Sequence, residues 1–166
     1  KTAAFPIESR IPGLSAKDGK EVRLEIIGDG VVFVDGSTGS IESVKKYEDM
    51  TEQDEKMINE ASVDGRFLDT RGPGKFLIPG FVDTHVHAPQ FSYQGTGLDL
   101  PLLSWLDTYT FPAEESFRDP EIARKNYESV VSRTLKEGTT CAMYFGTIHL
   151  SASEVMLEIL GEKKQR

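Results

Sequence analysis

Phe76-Leu77-Ile78-Pro79-Gly80-Phe81-Val82-Asp83-Thr84-His85-Val86-His87 is the stretch on which the fold turns. Its apolar run, Phe76 to Val82, does not alternate, as expected of a strand buried on both faces in a parallel sheet, and such strands belong to α/β folds. After the run and the intervening Asp83-Thr84 come two histidines separated by one residue. Side chains of an extended chain alternate with period two, so both imidazoles point to one side and can reach one ion. A rigid strand end suits Zn²⁺, which takes imidazole nitrogen at about 2.0–2.1 Å. The spacing alone leaves two readings open, metal ligands or two polar residues closing a strand. Position at the carboxyl end of a strand, where barrel enzymes carry their reactive groups, favours the first. Asp83 and Thr84 are then acceptors for the outer nitrogens of the pair.

Downstream, the punctuation predicts a strand, crossover and strand. Asp119 caps a helix whose first turn holds Pro120, whose inner face is Ala123, Tyr127, Val130, Val131 and Thr134, and which Gly138 stops. Thr139-Thr140-Cys141-Ala142-Met143-Tyr144-Phe145 reads as a second buried strand. Ser151 with Glu154 reads as a capping box for a last helix bearing Val155, Met156, Ile159 and Leu160, with Gly161 at its end.

Upstream, Gly/Pro-rich Arg71-Gly72-Pro73-Gly74 marks a domain boundary and divides the chain into 1–74 and 75–166. In the first part Val22, Leu24 and Ile26 alternate with charged residues, and Gly28-Asp29-Gly30 leads into Val31-Val32-Phe33-Val34, the pattern of a hairpin. Turns follow at Asp35-Gly36 and Thr38-Gly39, then a short alternating strand at Ile41-Glu42-Ser43-Val44. Between about 45 and 62 the sequence is acidic, and Met50, Met57, Ile58 and Ala61 are too sparse to anchor a helix firmly. It reads as an exposed excursion, helical in part at most.

The composition excludes several function classes. A net charge of −8 with no basic face argues against nucleic acid. The single cysteine, Cys141, permits no intrachain disulfide and points to a reducing, cytoplasmic setting. No stretch approaches the roughly 18 apolar residues of a membrane span, and Lys1 to Pro6 lacks the apolar centre of a signal peptide. A start without Met and a finish at Glu162-Lys163-Lys164-Gln165-Arg166 suggest truncation at both ends.

Pro79-Gly80-Phe81-Val82-Asp83-Thr84-His85-Val86-His87 resembles the first-strand signature of the amidohydrolase superfamily. Further segments resemble its guanine deaminase branch: His87-Ala88-Pro89-Gln90, Leu98 to Leu106, Tyr109 to Glu114, Arg133 to Thr140, Tyr144-Phe145 and Thr147-Ile148-His149. The likeness runs from about Phe76 to Thr147 and is far weaker before it. It implies an α/β fold, an incomplete metal-dependent (β/α)₈ TIM barrel preceded by part of a small β-sandwich. It also implies zinc-dependent conversion of guanine and water to xanthine and ammonia by a full-length homodimer. On the family pattern His85 and His87 are the first two zinc ligands. Gln90 falls where the purine is held, giving a substrate-binding set of His87, Ala88, Pro89, Gln90 and Trp105. Pro89 departs from the pattern, which has a small hydroxylic residue there. The remaining ligands and the general acid/base have no counterpart in this chain and are expected beyond residue 166, so the chain alone is expected to be inactive.

Rival readings stand beside these. Trp105 with Leu102, Leu103 and Leu106 is a wall over a purine or plain packing. Glu114 is better explained as part of an amphipathic helix end than as a catalytic acid, and His149 as hydrogen-bonded structure. Cys141 reads as a small core hydrophobe. The alternatives for the whole chain are an amidohydrolase acting on another ring amine or cyclic amide, and a noncatalytic truncated interaction module. After Gly74 there is room for two strand-helix units at most. Such an open piece is expected to leave strand edges unpaired and to be ordered near His85 without a closed core.

Overall fold

The computed structural model describes residues 9–15 and 21–166, with side chains from residue 25 onward. Lys1 to Pro6 and the side-chain alternation at Val22 and Leu24 lie outside what is described. The chain divides into two compact units, Lys1–Lys75 and Phe76–Arg166.

The first unit holds two antiparallel pairs. Strand β1 (Ser9–Ser15) pairs with β2 (Glu21–Leu24), and β3 (Gly30–Val34) pairs with β4 (Ile41–Lys46). The hairpin expected across Gly28-Asp29-Gly30 is therefore not formed, and β3 turns instead toward the strand that follows it. The Asp35 carboxylate decides this by accepting from the backbone N–H groups of Ser37 at 2.7 Å and Thr38 at 3.0 Å. Gly39, at φ 74°, then lets its N–H return to the Asp35 carbonyl at 2.8 Å. The Ser37 hydroxyl, which donates to the Asp35 carboxylate at 2.6 Å, and then the Thr38 and Ser37 N–H groups hold that carboxyl at about 2.

The acidic excursion is a full helix, α1 (Glu52–Val63), not the partial one expected. What the apolar pattern lacked, a capping box supplies. Thr51 accepts from the Asp54 N–H, and Asp54 accepts from the Thr51 N–H at 2.8 Å. Lys45 on β4 reaches both Asp54 oxygens, at 2.7 and 2.8 Å. Asp54 is only 6% exposed, and the lysine lowers its carboxyl to about 2, with help from Thr51.

The second unit is a parallel β-α-β arrangement. Strand β5 (Phe81–His87) pairs in parallel with β6 (Thr139–Phe145), and His87 stands opposite Phe145. Pairing begins at Phe81, whose N–H donates to the Gly138 carbonyl at 2.8 Å, and not at Phe76 as the apolar run suggested. Pro79 has no N–H to give a ladder. Gly80 passes so close to Thr140 that an added Cβ would lie 2.0 Å from its Oγ1. Phe76, Leu77, Phe81 and Val82 are exposed, which corrects the expectation of burial on both faces. Strand β6 is half-buried at Thr139, Cys141, Ala142 and Tyr144 and exposed at Thr140, Met143 and Phe145.

Between the strands the chain forms a tight turn (Ala88–Tyr93) and the short helices α2 (Leu102–Trp105) and α3 (Phe111–Ser116), joined by a π-wound stretch (Leu106–Thr110). Pro112 disrupts regular α bonding here, and the Phe111 N–H accordingly reaches back five residues to the Leu106 carbonyl. Helix α4 (Pro120–Lys136) keeps the expected cap, the Asp119 carboxylate accepting from the Glu121 N–H at 2.9 Å. Ala123, Tyr127, Val130 and Val131 are buried as its spacing predicts, against Ala152, Val155, Met156 and Ile159 of α5 (Leu150–Lys163). A core does form, on the helix-covered side of the sheet. Helix α5 begins at Leu150 with no side-chain cap, and it runs through Gly161 to Lys164, at φ 59°. The Ser151–Glu154 capping box and the Gly161 stop are thus both corrected.

Buried Gln165 ties the layers together. It donates to Thr134 Oγ1 at 3.0 Å and to the Thr139 carbonyl at 2.7 Å, and accepts from the Tyr144 hydroxyl at 2.8 Å. Burial pushes the Tyr144 phenol up, against the pull of its hydrogen bonds. Arg166 exchanges backbone bonds with Thr140 and Ala142, at 3.0 and 2.7 Å. Among the described residues no helix is long and apolar enough to cross a membrane.

Candidate metal centre

The alternation of β5 and β6 sorts their side chains. Tyr144 packs on the helical core, so its neighbour Phe145, and Phe145's cross-strand partner His87, face the opposite side. His85 lies two residues before His87 and shares that face. The two histidines are among the last residues of β5 itself, not residues that follow the strand.

Their Nε2 atoms stand 2.9 Å apart, with ring centroids separated by 4.9 Å and planes inclined at 53°. Two nitrogens on one tetrahedral Zn²⁺ at about 2.05 Å lie about 3.3 Å apart, so the pair is within a few tenths of an ångström of what one ion requires. That separation is also the distance of a hydrogen bond between the rings, and two imidazole nitrogens so placed are a fitting donor pair for such an ion. Among the described residues no third His, Cys, Asp or Glu completes a group with them.

Asp83 takes a different part from the one expected. Its carboxylate accepts from the backbone N–H of His85 at 3.1 Å, which fixes the strand rather than an imidazole. Thr84 lies on the opposite face by alternation. Phe145, which the sequence places only in a resembling segment with no role at the site, lies against both rings, its centroid 4.5 Å from His85 and 5.0 Å from His87. It is nearly parallel to His87, at 16°. Only the register His87–Phe145 reveals it, and register is not written in either strand alone.

His87 opens the turn Ala88–Tyr93. Ala88 and Pro89 are fully buried and anchor that turn to the core, leaving Gln90 half-buried just beyond the histidines. Trp105 belongs to a second cluster. Its Nε1 donates to the Thr96 carbonyl at 2.8 Å, and its ring lies 5.6 Å from that of Tyr93, which stacks in turn on Tyr109. Tyr93 donates to Thr110 Oγ1 at 3.1 Å, and burial raises its phenol. The sequence offers no signal for Tyr93, and it places Tyr109 in a resembling segment without showing that the two rings stack. Leu102 and Leu103 are exposed. Glu114 is half-buried on α3, and His149, at the start of α5, has Nε2 3.8 Å from Glu115. Cys141 is half-buried rather than a core residue.

Guanine deaminase of Dictyostelium discoideum is 44% identical over 149 residues, covering 87% of this chain and 33% of its own length. That alignment reaches well before Phe76, so the likeness extends further than the motifs indicated. Guanine deaminase from C. acetobutylicum, solved with guanine in its active site, superposes with a TM-score of 0.63 at 28% identity, covering 89% of this chain and 31% of its own. An adenosine deaminase from Xanthomonas campestris with bound zinc gives 0.59 at 26% identity, covering 87% and 29%. The chain thus spans about a third of the length of each. The family model described as Amidohydrolase family matches residues 76–165, the whole β5-α4-β6-α5 unit and more than half of the sequence. The chain belongs to the amidohydrolase family.

Proposed function

We propose that this chain is part of a zinc-dependent guanine deaminase, converting guanine and water to xanthine and ammonia. The carrying observation is the 2.9 Å convergence of His85 and His87 Nε2 at the carboxyl end of β5, in a chain whose likeness to guanine deaminases covers 87% of its residues. His85 and His87 would hold the metal, which when bound supplies Lewis acidity and a water activated at neutral pH. The Asp83 carboxylate, by fixing the His85 backbone, keeps the pair in register. Gln90 presents an amide that both donates and accepts, a match for the alternating groups of a purine edge. Buried Ala88 and Pro89 hold that amide beside His87, and Trp105 offers an apolar wall. The reaction further requires a carboxylate to move protons and metal ligands besides His85 and His87, so these residues alone are not expected to turn over guanine.

The same reading makes β5, α4, β6 and α5 the first units of a (β/α)₈ barrel, divided near residue 74 from part of a β-sandwich. The whole protein is a cytoplasmic homodimer. The test is xanthine formation by the full-length polypeptide with zinc. Turnover is expected, with a loss of at least about 10²-fold in His85→Ala and in His87→Ala, as for removal of metal-dependent chemistry. No xanthine from the zinc-loaded protein refutes the proposal. The likeness to a zinc-bound adenosine deaminase supports a second reading, another ring amine as substrate. Ammonia release from guanine, adenine, adenosine and cytosine in parallel separates the two.

A further inference from the structure

We infer that Phe145 is a positioning residue for the histidine pair, its ring acting as the surface that aims both imidazoles at one point. The inference rests on the metal-site reading above and adds to it a residue on another strand. Both histidines are exposed, so the sheet beneath them does little to restrict their rotation. An imidazole on an exposed strand turns about two side-chain bonds, and only a small part of that range brings both Nε2 atoms together.

Phe145 closes this freedom from one side. Its ring is nearly parallel to that of His87, at 16° and 5.0 Å, and inclined by 37° to that of His85, at 4.5 Å. One flat face therefore touches two rings that are themselves 53° apart. Aromatic surfaces prefer such offset and tilted contacts. The parallel register puts Phe145 opposite His87, so the ring is delivered by the β6 backbone without any loop. Phe145 is 40% exposed and is no part of the buried core around α4 and α5. Its place is explained by the rings it touches better than by stability of the unit.

The readout is Zn²⁺ binding, independent of turnover. The chain has three histidines, His85, His87 and His149, so their ring proton resonances can be followed individually as Zn²⁺ is added to the 166-residue chain. In the native sequence the signals of His85 and His87 are expected to move together, while His149 stays. Phe145→Ala is expected to raise the Zn²⁺ midpoint about tenfold, the scale on which residues supporting ligands act. Phe145→Tyr, which keeps the flat face, restores it to within about twofold. Phe145→Leu keeps apolar bulk without the face and is expected to bind several-fold more weakly with a native amide spectrum. It also serves if Phe145→Ala fails to fold. A native midpoint in Phe145→Leu, with binding lost in His85→Ala, overturns the role of Phe145 and leaves the metal site standing. Unchanged binding in both His85→Ala and His87→Ala overturns the metal site and the inference with it.

Discussion

Gly80 offers the sharpest test of how β5 is held against its neighbour. A Cβ added there would lie 2.0 Å from Thr140 Oγ1, 2.3 Å from its Cγ2 and 2.7 Å from its Cβ. None of these is the far end of a flexible chain, so Gly80→Ala must push the strands apart just where Phe81 begins to pair. Overpacking of this kind costs about 1–3 kcal/mol. The loss of backbone freedom in the unfolded chain returns about 0.4–1 kcal/mol where the native conformation suits alanine. A net loss of about 1–2 kcal/mol is expected. For a unit the size of Phe76–Arg166 that lowers the unfolding midpoint by roughly 4–16 °C. Amide exchange at Phe81 and along β6 should accelerate accordingly, the Phe81 bond to Gly138 being the first lost. Thr140→Ala removes the two nearest atoms, so the double variant should recover about 1 kcal/mol of coupling. Equal costs of Gly80→Ala in the native and Thr140→Ala backgrounds would refute the reasoning.

Two further outcomes follow from burial and charge. Ile159 is fully buried between α5 and α4, and Ile159→Ala should cost about 2–5 kcal/mol in denaturant unfolding of the second unit; a loss under about 1 kcal/mol would mean that the helices do not pack there. Asp54 is held at about 2 against an ordinary value of 3.8, so its contribution to stability is present above about 4 and disappears as pH falls from about 4 through about 2. Helicity of α1 measured on acidification should fall over that window, and Asp54→Asn should lower helicity at neutral pH and flatten the response. An unaltered acid transition in the variant would contradict the assignment.

What could be read directly in the residues was local and periodic. Helix α4 was legible because Asp119, Pro120, its apolar spacing and Gly138 all agree, and β6 because Gly138 and its β-branched start delimit it. The His85–His87 pairing followed from period two alone. What could not be read depended on partners distant in sequence. Strand β5 starts late because Gly80 meets Thr140, sixty residues on. Strand β3 chose β4 over β2 through hydrogen bonds of the Asp35 side chain. The apolar run leading into β5 has a pattern that suits two covered faces, yet Phe76, Leu77, Ile78, Phe81 and Val82 are all exposed, because the packing of α4 and α5 does not reach this end of the strand. Helix α1 is longer than its sparse apolar spacing suggests because the reciprocal bonds of Thr51 and Asp54 start it. Phe145 and the Tyr93–Trp105–Tyr109 cluster needed the register and the loop path before they meant anything.

The widened turn at Leu106–Thr110 has a consequence for the direction of Trp105. A π-wound turn carries one residue more than α bonding needs, and each residue rotates a helix by about 100°. Shortening this stretch by a single residue would regularise its bonds and swing Trp105 about a quarter-turn away from Thr96 and Tyr93. The surplus residue is thus an angular spacer, and the aim of the indole is set by a counting irregularity in the backbone.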